Sequence, residues 1–359
     1  MPNVNPVNDR GGAGSNKSRA RFGRRLSFVL FALLGLPAVV GSGALAAAPP
    51  SAPLVVATVG MIGDVAAEIA ADCANVETLL GPGSDPHLYR AGAGDVRRLG
   101  NADLVLYGGL HLEAGLASVL DRFQARTPTA AVSELGVPEQ RRIAATGALA
   151  AAGRAAGAAN AAGVVYDPHV WMDVSLWSDA AAVIGTELET LMAGGSPCAS
   201  TIAANTKSYR ARLAALHAWA GEAILSIPER QRILITAHDA FAYFGQAYGI
   251  DVEGIQGIST ETEAAVADIR RVADIVIERQ VPAVFIESTI NPRTIRAVKE
   301  AVEQRGGGVS IGEQLYADAL GSSGTADGTY IGMMIHNVTA IASALGGDVP
   351  PLPEALAAW

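Results

Sequence analysis

Asp85-Pro86-His87-Leu88-Tyr89 and Asp167-Pro168-His169-Val170-Trp171 repeat one pattern, Asp-Pro-His-apolar-aromatic, and together hold two of the six histidines in this 359-residue chain. Imidazoles delivered from stiff turns suit metal coordination. Proline fixes its own φ and drives the preceding aspartate towards extended backbone, so each histidine has little entropy left to lose when it is held in place. A third histidine, His238, follows a strand-like run at residues 232–236, and an acid, Asp318, follows another such run. Three imidazoles and one carboxylate suit a borderline divalent ion and fill a tetrahedral zinc shell with no position left for water. Manganese takes more oxygen and a higher coordination number, so this donor set favours Zn(II), with Mn(II) as the alternative.

Other histidines compete with these. His111, in Gly108-Gly109-Leu110-His111-Leu112-Glu113, also follows a strand and is either a ligand or part of a helix start. His217, inside a long helical pattern, and His336, beside Met333 and Met334, read as hydrogen-bonded or solvated residues. Enzyme signatures are scarce: the chain lacks Gly-x-Ser-x-Gly, the phosphate-loop pattern, His-Glu-x-x-His and a Gly-x-Gly-x-x-Gly after a strand. The residues therefore point away from an enzyme. A zinc hydrolase is the rival from another class, and it would need an open metal position and a nearby base such as Glu113 or Glu287. His238-Asp239 reads as an adjacent pair on a helix, which points apart and makes no relay.

The elements that must position these residues alternate strand and helix. β-Branched apolar runs at residues 54–58, 76–80, 103–107 and 129–132 predict strands, separated by helical patterns at 62–71, 95–100 and 112–123. The succession recurs at 233–236, 251–256, 283–287 and 308–311, and a last helix is expected over 328–345. The fold class is therefore α/β, two lobes that each carry a mainly parallel sheet flanked by helices. Between them, residues 205–225 place Tyr209, Leu213, Leu216, Trp219 and Ile224 at helical spacing, which predicts one long linker helix. The divisions expected are an N-terminal lobe over 47–198, the linker over 199–228 and a C-terminal lobe over 229–359. Residues 144–164, mostly Ala and Gly, read as a flexible loop. In open parallel sheets ligands gather beyond the carboxyl ends of strands, so His87, His238 and Asp318 face a cleft between the lobes, and His169 enters from the segment after the loop.

Residues 1–46 form a separate unit. A basic stretch, an apolar run over 26–40 and a closing Ala44-Leu45-Ala46 predict a cleaved secretory signal, too short in its apolar part for a membrane span. Its removal takes away six basic residues and one acid and moves the formal charge from -9 to -14. Such a surface argues against nucleic acid and is compatible with a cation. No cysteine lies near the cleavage region, so a lipid tether is not expected. Cys73 and Cys198 are expected to pair in an oxidising compartment.

Five separated blocks resemble one known family, the periplasmic metal-binding proteins of zinc and manganese ABC importers, described as TroA-like or ZnuA-like. They are the block ending Asp85-Pro86-His87, Gly109-Leu110-His111-Leu112-Glu113, the block from Asp167 to Asp173, the block from Thr236 to Phe244, and Ala317-Asp318-Ala319-Leu320 through Tyr330. The resemblance covers most of residues 53–345. It implies a metal held between two lobes joined by a single long helix, with His87, His169, His238 and Asp318 as ligands and His111 as structural. It implies capture of Zn(II), or alternatively Mn(II), for a membrane permease, by a periplasmic or secreted monomer. Two features depart from the family: the segment before His169 lacks the His- and acid-rich loop of many zinc carriers, and the chain lacks the lipoprotein cysteine of many members.

Overall fold

The computed structural model describes residues 52–146, 159–192 and 196–359, with residues 154 and 157. The leader expected over residues 1–46 and the centre of the expected Ala/Gly loop lie outside the described residues. Strands β1 (Leu54–Ala57), β2 (Asn75–Thr78), β3 (Leu104–Tyr107) and β4 (Thr129–Ala131) form a parallel sheet in the order β2-β1-β3-β4. Helices α1 (Gly60–Ala70), α2 (Ala93–Asn101), α3 (Ala117–Gln124) and α4 (Val132–Gly136) connect or follow them. β1 reads Leu-Val-Val-Ala with its last three residues fully buried, as expected of a strand covered on both faces.

The second half repeats this order. β5 (Ile233–His238) pairs in parallel with β6 (Asp251–Gln256), and β7 (Ala283–Val284) with β8 (Ser310–Ile311). One backbone bond, Phe285 N to Ile235 O at 2.9 Å, sets β7 beside β5, giving β6-β5-β7-β8. Helices α7 (Ala242–Tyr248), α8 (Val266–Arg279), α9 (Arg293–Gln304) and α10 (Tyr330–Ala344) complete it. The strands lie within two residues of the sequence expectation except β7, which stops at Val284; pairing resumes only at a single parallel bridge between Glu287 and Leu315.

Two elements lie between the halves. Asp173 caps α5 (Val174–Leu191) by accepting from Ser175 N and Leu176 N. The long helix α6 runs over Pro197–Leu225, beginning eight residues before the expected start and spanning about 43 Å at 1.5 Å per residue. Ser196 Oγ accepts from Cys198 N and Pro197 occupies the first helical position, a start signal set ahead of the amphipathic stretch. Cys73 and Cys198 form a disulfide with Cα atoms 5.6 Å apart, tying the first turn of α6 to the short turn Ala71–Cys73 that follows α1.

The helix expected over 112–123 begins as a regular α-helix only at Ala117. Gly109, Leu110 and His111 have φ of 77°, 52° and 69°, and this left-handed run is incompatible with a helix start. Carboxylates hold it: Glu113 accepts from Gly108 N and Gly109 N, and Glu134 from Leu110 N. His238 and Asp239 are likewise not a helical pair, since His238 is the last residue of β5.

The two lobes share polar contacts deep in the core. Trp171 Nε1 donates to Ala317 O at 2.9 Å, Tyr330 Oη to Trp171 O at 2.7 Å, and Tyr330 N to Asp64 Oδ2 at 2.8 Å. Because each bond joins fully or largely buried groups, separating the lobes would leave them unsatisfied. Among the described residues, no helix is long and apolar enough to cross a membrane.

Candidate metal centre

Each Asp-Pro-His builds the same local turn. Asp85 Oδ1 accepts from His87 N at 2.8 Å, and Asp167 Oδ1 from His169 N at 2.9 Å, so the aspartate closes a side-chain turn over its proline. His87 leaves the irregular segment after β2, His169 opens a short turn leading to α5, His238 ends β5, and Asp318 follows β8. His87, His238 and Asp318 occupy carboxyl-end positions of two sheets facing one cleft, and His169 enters it from the irregular segment before α5.

The structure brings all four together. One donor atom from each lies within 4.8 Å of every other. His87 Nε2 is 3.3 Å from His169 Nε2, while Asp318 places Oδ1 3.2 Å from His169 Nε2 and Oδ2 3.2 Å from His238 Nε2. The longest of these approaches, His87 Nε2 to Asp318 Oδ2, is 4.0 Å. A tetrahedron with bonds of about 2.0–2.2 Å has edges of roughly 3.4 Å, so three of these approaches are close to the spacing such an ion requires and the fourth is somewhat wider. His87 is 4 % exposed and the other three 1 % or less.

Polar neighbours decide which way the rings face. His169 Nδ1 is 2.7 Å from Asp167 Oδ1, and His238 Nδ1 is 2.5 Å from Glu287 Oε2. Carboxylates accept only, so each Nδ1 carries a proton, and each Nε2, once it has released its own, presents a lone pair inward. His238 Nε2 and both oxygens of Asp318 are buried without a hydrogen-bond partner. Converging lone pairs repel, and a cation between them removes that repulsion while satisfying the orphaned atoms. The donor chemistry therefore fits a divalent ion.

Without a cation, charge is balanced by protons. Burial opposes protonation of His169, but Asp167 and Asp318 overcome it and lift the ring to about 9. Burial is likewise outweighed at His238, where Glu287 and Asp318 raise the ring well above its usual range. His87 has gone the other way, to about 3, mainly through burial, with Asp318 unable to compensate. Asp318 itself sits well below the usual carboxylate range: burial raises it, but His238 and His169 hold it down.

The other histidines are elsewhere. His111 stays outside the cluster, half-buried in its left-handed loop. His217 Nδ1 meets Tyr248 Oη at 3.2 Å and His336 Nε2 meets Gln314 O at 2.8 Å, as expected of structural residues. Of the two candidate bases for a hydrolase, Glu113 accepts from Thr58 Oγ1, Gly108 N and Gly109 N, and Glu287 is taken up by His238. Sequence reasoning noticed Glu287 but assigned it no part in holding a ligand; its register opposite β5 becomes visible only once β7 is set beside it. A 360 Å³ cavity lined by Gly60, Asp64, Thr78 and Leu320 reaches Asp318, whereas a larger 580 Å³ hollow beside Asp173 and His217 includes none of the four.

Comparison with known proteins agrees with this arrangement. Residues 55–344 match the family ZnuA, zinc-uptake complex component A, periplasmic. The chain is 41 % identical over 299 residues to the zinc-binding protein TroA of Treponema pallidum, covering 83 % of this chain and 91 % of that one. It is 38 % identical over 292 residues to the manganese-binding lipoprotein MntA of Bacillus subtilis, covering 81 % and 89 %. The solved structure of the T. pallidum periplasmic zinc-binding protein superposes with a TM-score of 0.74 over 82 % of this chain and 99 % of its own. The two-lobe α/β fold is thus shared, and the chain belongs to the ZnuA family of periplasmic metal-uptake components.

Proposed function

We propose that this chain is an extracytoplasmic solute-binding protein that captures Zn(II) between its lobes and delivers it to the permease of an ABC importer. The ligands are His87, His169, His238 and Asp318. One observation carries the reading: three imidazoles and a carboxylate converge in a buried space where His238 Nε2 and both Asp318 oxygens have no hydrogen-bond partner. Metal is cargo here, and no residue acts as a catalytic base. Mn(II) is the second reading, favoured by the 38 % identity to a relative named as manganese-binding.

The molecule acts as a monomer, with an N-terminal lobe over 47–198, a linker over 199–228 and a C-terminal lobe over 229–359. Residues 1–46 act as a cleaved signal, and the mature chain works in the periplasm or outside the cell without a lipid tether. Its acidic balance suits a cation and disfavours nucleic acid. The buried bonds between lobes restrict opening to a small rotation around α6, because wide separation would strand Tyr330, Trp171 and Asp64.

The test is competitive titration of metal-free protein with Zn(II) and Mn(II), alongside His87→Ala, His169→Ala, His238→Ala and Asp318→Ala. One ion per chain, Zn(II) preferred, and marked weakening in each variant are expected. Unaltered stoichiometry and affinity in the variants would refute the site, and Mn(II) preference would select the second reading.

A further inference from the structure

We infer that Tyr243 is a positioning residue that fastens the second Asp-Pro-His turn to the C-terminal lobe, so that His169 stays with His238 and Asp318, and His87 alone departs, when the lobes part. The inference rests on the capture reading above and states how the ion is let go. By chain order His169 belongs with His87 in the N-terminal lobe. Its bonds point the other way. Tyr243 Oη, on α7 and 1 % exposed, donates to Asp167 O and accepts from Ile143 N, both at 3.0 Å. Asp167 N in turn donates to Ile143 O at 2.8 Å, so one phenol of the other lobe clamps the chain where it leaves for residues 144–166 and where it returns.

The attachment continues along the turn. Trp171 accepts from Tyr330 Oη on its carbonyl and donates its indole N–H to Ala317 O, the residue before Asp318. The short turn Val170–Met172 packs against α7, and Val165 packs against Ile258, both contacts with the C-terminal lobe. His87 is held differently. Among the described residues its turn sends no backbone bond to the C-terminal lobe, and beyond the ligand ring itself only the Asp85 side chain bonds across, accepting from Thr260 Oγ1. Breaking the buried bonds of the His169 turn would strand backbone groups away from water, whereas the partly buried Asp85–Thr260 pair is rehydrated on opening. Rotation of the lobes therefore follows the boundary between His87 and the other three donors. Asp318 then keeps Oδ1 beside His169 and Oδ2 beside His238, and the place of His87 opens to water or an incoming donor.

Zn(II) transfer to a chromophoric chelator, followed by stopped flow, tests this in wild type, His87→Ala and His169→Ala, each with and without Thr260→Val. Removing the Thr260 hydroxyl loosens the contact across the cleft and is expected to speed release from wild type by about 2–10-fold. The same acceleration is expected in His169→Ala, where His87 still faces His238 and Asp318 across the parting boundary. In His87→Ala it is expected to vanish, because the three remaining donors move as one body. Equal acceleration by Thr260→Val in His87→Ala would overturn the inference, as would a His87→Ala protein that holds no Zn(II). So would a wild type unmoved by Thr260→Val, since the boundary is drawn there. Tyr243→Phe, which keeps the ring and removes the hydroxyl, is expected to speed release from His87→Ala by about 2–10-fold. A lowered unfolding midpoint with an unchanged release rate would give Tyr243 a structural role only and overturn its part. Failure of the wild type to bind Zn(II) would instead strike the capture reading.

Discussion

The two Asp-Pro-His turns share a tripeptide and a backbone hydrogen bond, yet they hold their histidines by different means. In the second, Asp167 Oδ1 accepts from both the backbone N and the ring Nδ1 of His169, so one carboxylate fixes turn and ring together. In the first, Asp85 Oδ1 accepts from His87 N while Oδ2 accepts from Thr260 Oγ1 at 2.6 Å, across the cleft in the other lobe. Asp167 serves a ligand, and Asp85 serves the closure of the lobes. The repeat specifies a turn; what the second carboxylate oxygen reaches is decided by the fold around it.

The largest expected effect contrasts the ligands themselves. If four ligands share the roughly 10–16 kcal/mol of a tight zinc site, each accounts for about 3 kcal/mol, a loss of more than a hundredfold in affinity. His169→Ala should exceed His87→Ala, because it also strands Asp167 in the core, and chelator competition measures both. Equal losses would break the comparison. Next come the aspartates: Asp167→Asn should weaken Zn(II) by about 10–100-fold, whereas Asp85→Asn should leave equilibrium affinity within severalfold and speed metal release in stopped-flow transfer to a chelator. The reverse pattern would show that the lobe contact, not the ring contact, holds the ion.

Proton release sharpens the same contrast. Binding needs neutral rings. Metal-free His169 lies at about 9, and His238 is held well above its usual range by Glu287 and Asp318, so both rings favour the protonated form and must discharge, while His87 at about 3 is already neutral. Affinity should therefore rise as pH increases from 7 towards 9, by up to about tenfold per unit for each proton displaced. Calorimetry in buffers of different ionisation enthalpy counts those protons, and a count of zero would contradict the assignment. The smallest effect on the site is expected from the disulfide. Replacing Cys73 and Cys198 with serine should lower unfolding stability by about 2–5 kcal/mol in chemical denaturation and leave metal affinity unchanged.

Much of this was legible in the sequence because it rests on local pattern. The β-branched runs located eight strands, and their carboxyl ends located His87, His238 and Asp318. The start of α6 was hidden because residues 197–204 are mostly small, carrying no amphipathic stripe, although Ser196-Pro197 is a start signal. The left-handed backbone at Leu110 and His111 was hidden for another reason: it depends on Glu113 and on Glu134, a carboxylate 24 residues away from Leu110. Glu287 is the clearest case. Its chemistry was visible and its direction was not, since a carboxylate beside a metal is a base or a ring holder depending on which atom it faces.

The matching strand orders of the two halves have a stereochemical consequence. His87 follows β2 of one sheet, whereas His238 ends β5 and Asp318 follows β8 of the other, so the donors do not occupy equivalent places in the repeat. Three imidazoles in three environments and one carboxylate make an ion held there a stereogenic centre of a single hand. A Co(II)-loaded sample would absorb left and right circularly polarised visible light unequally.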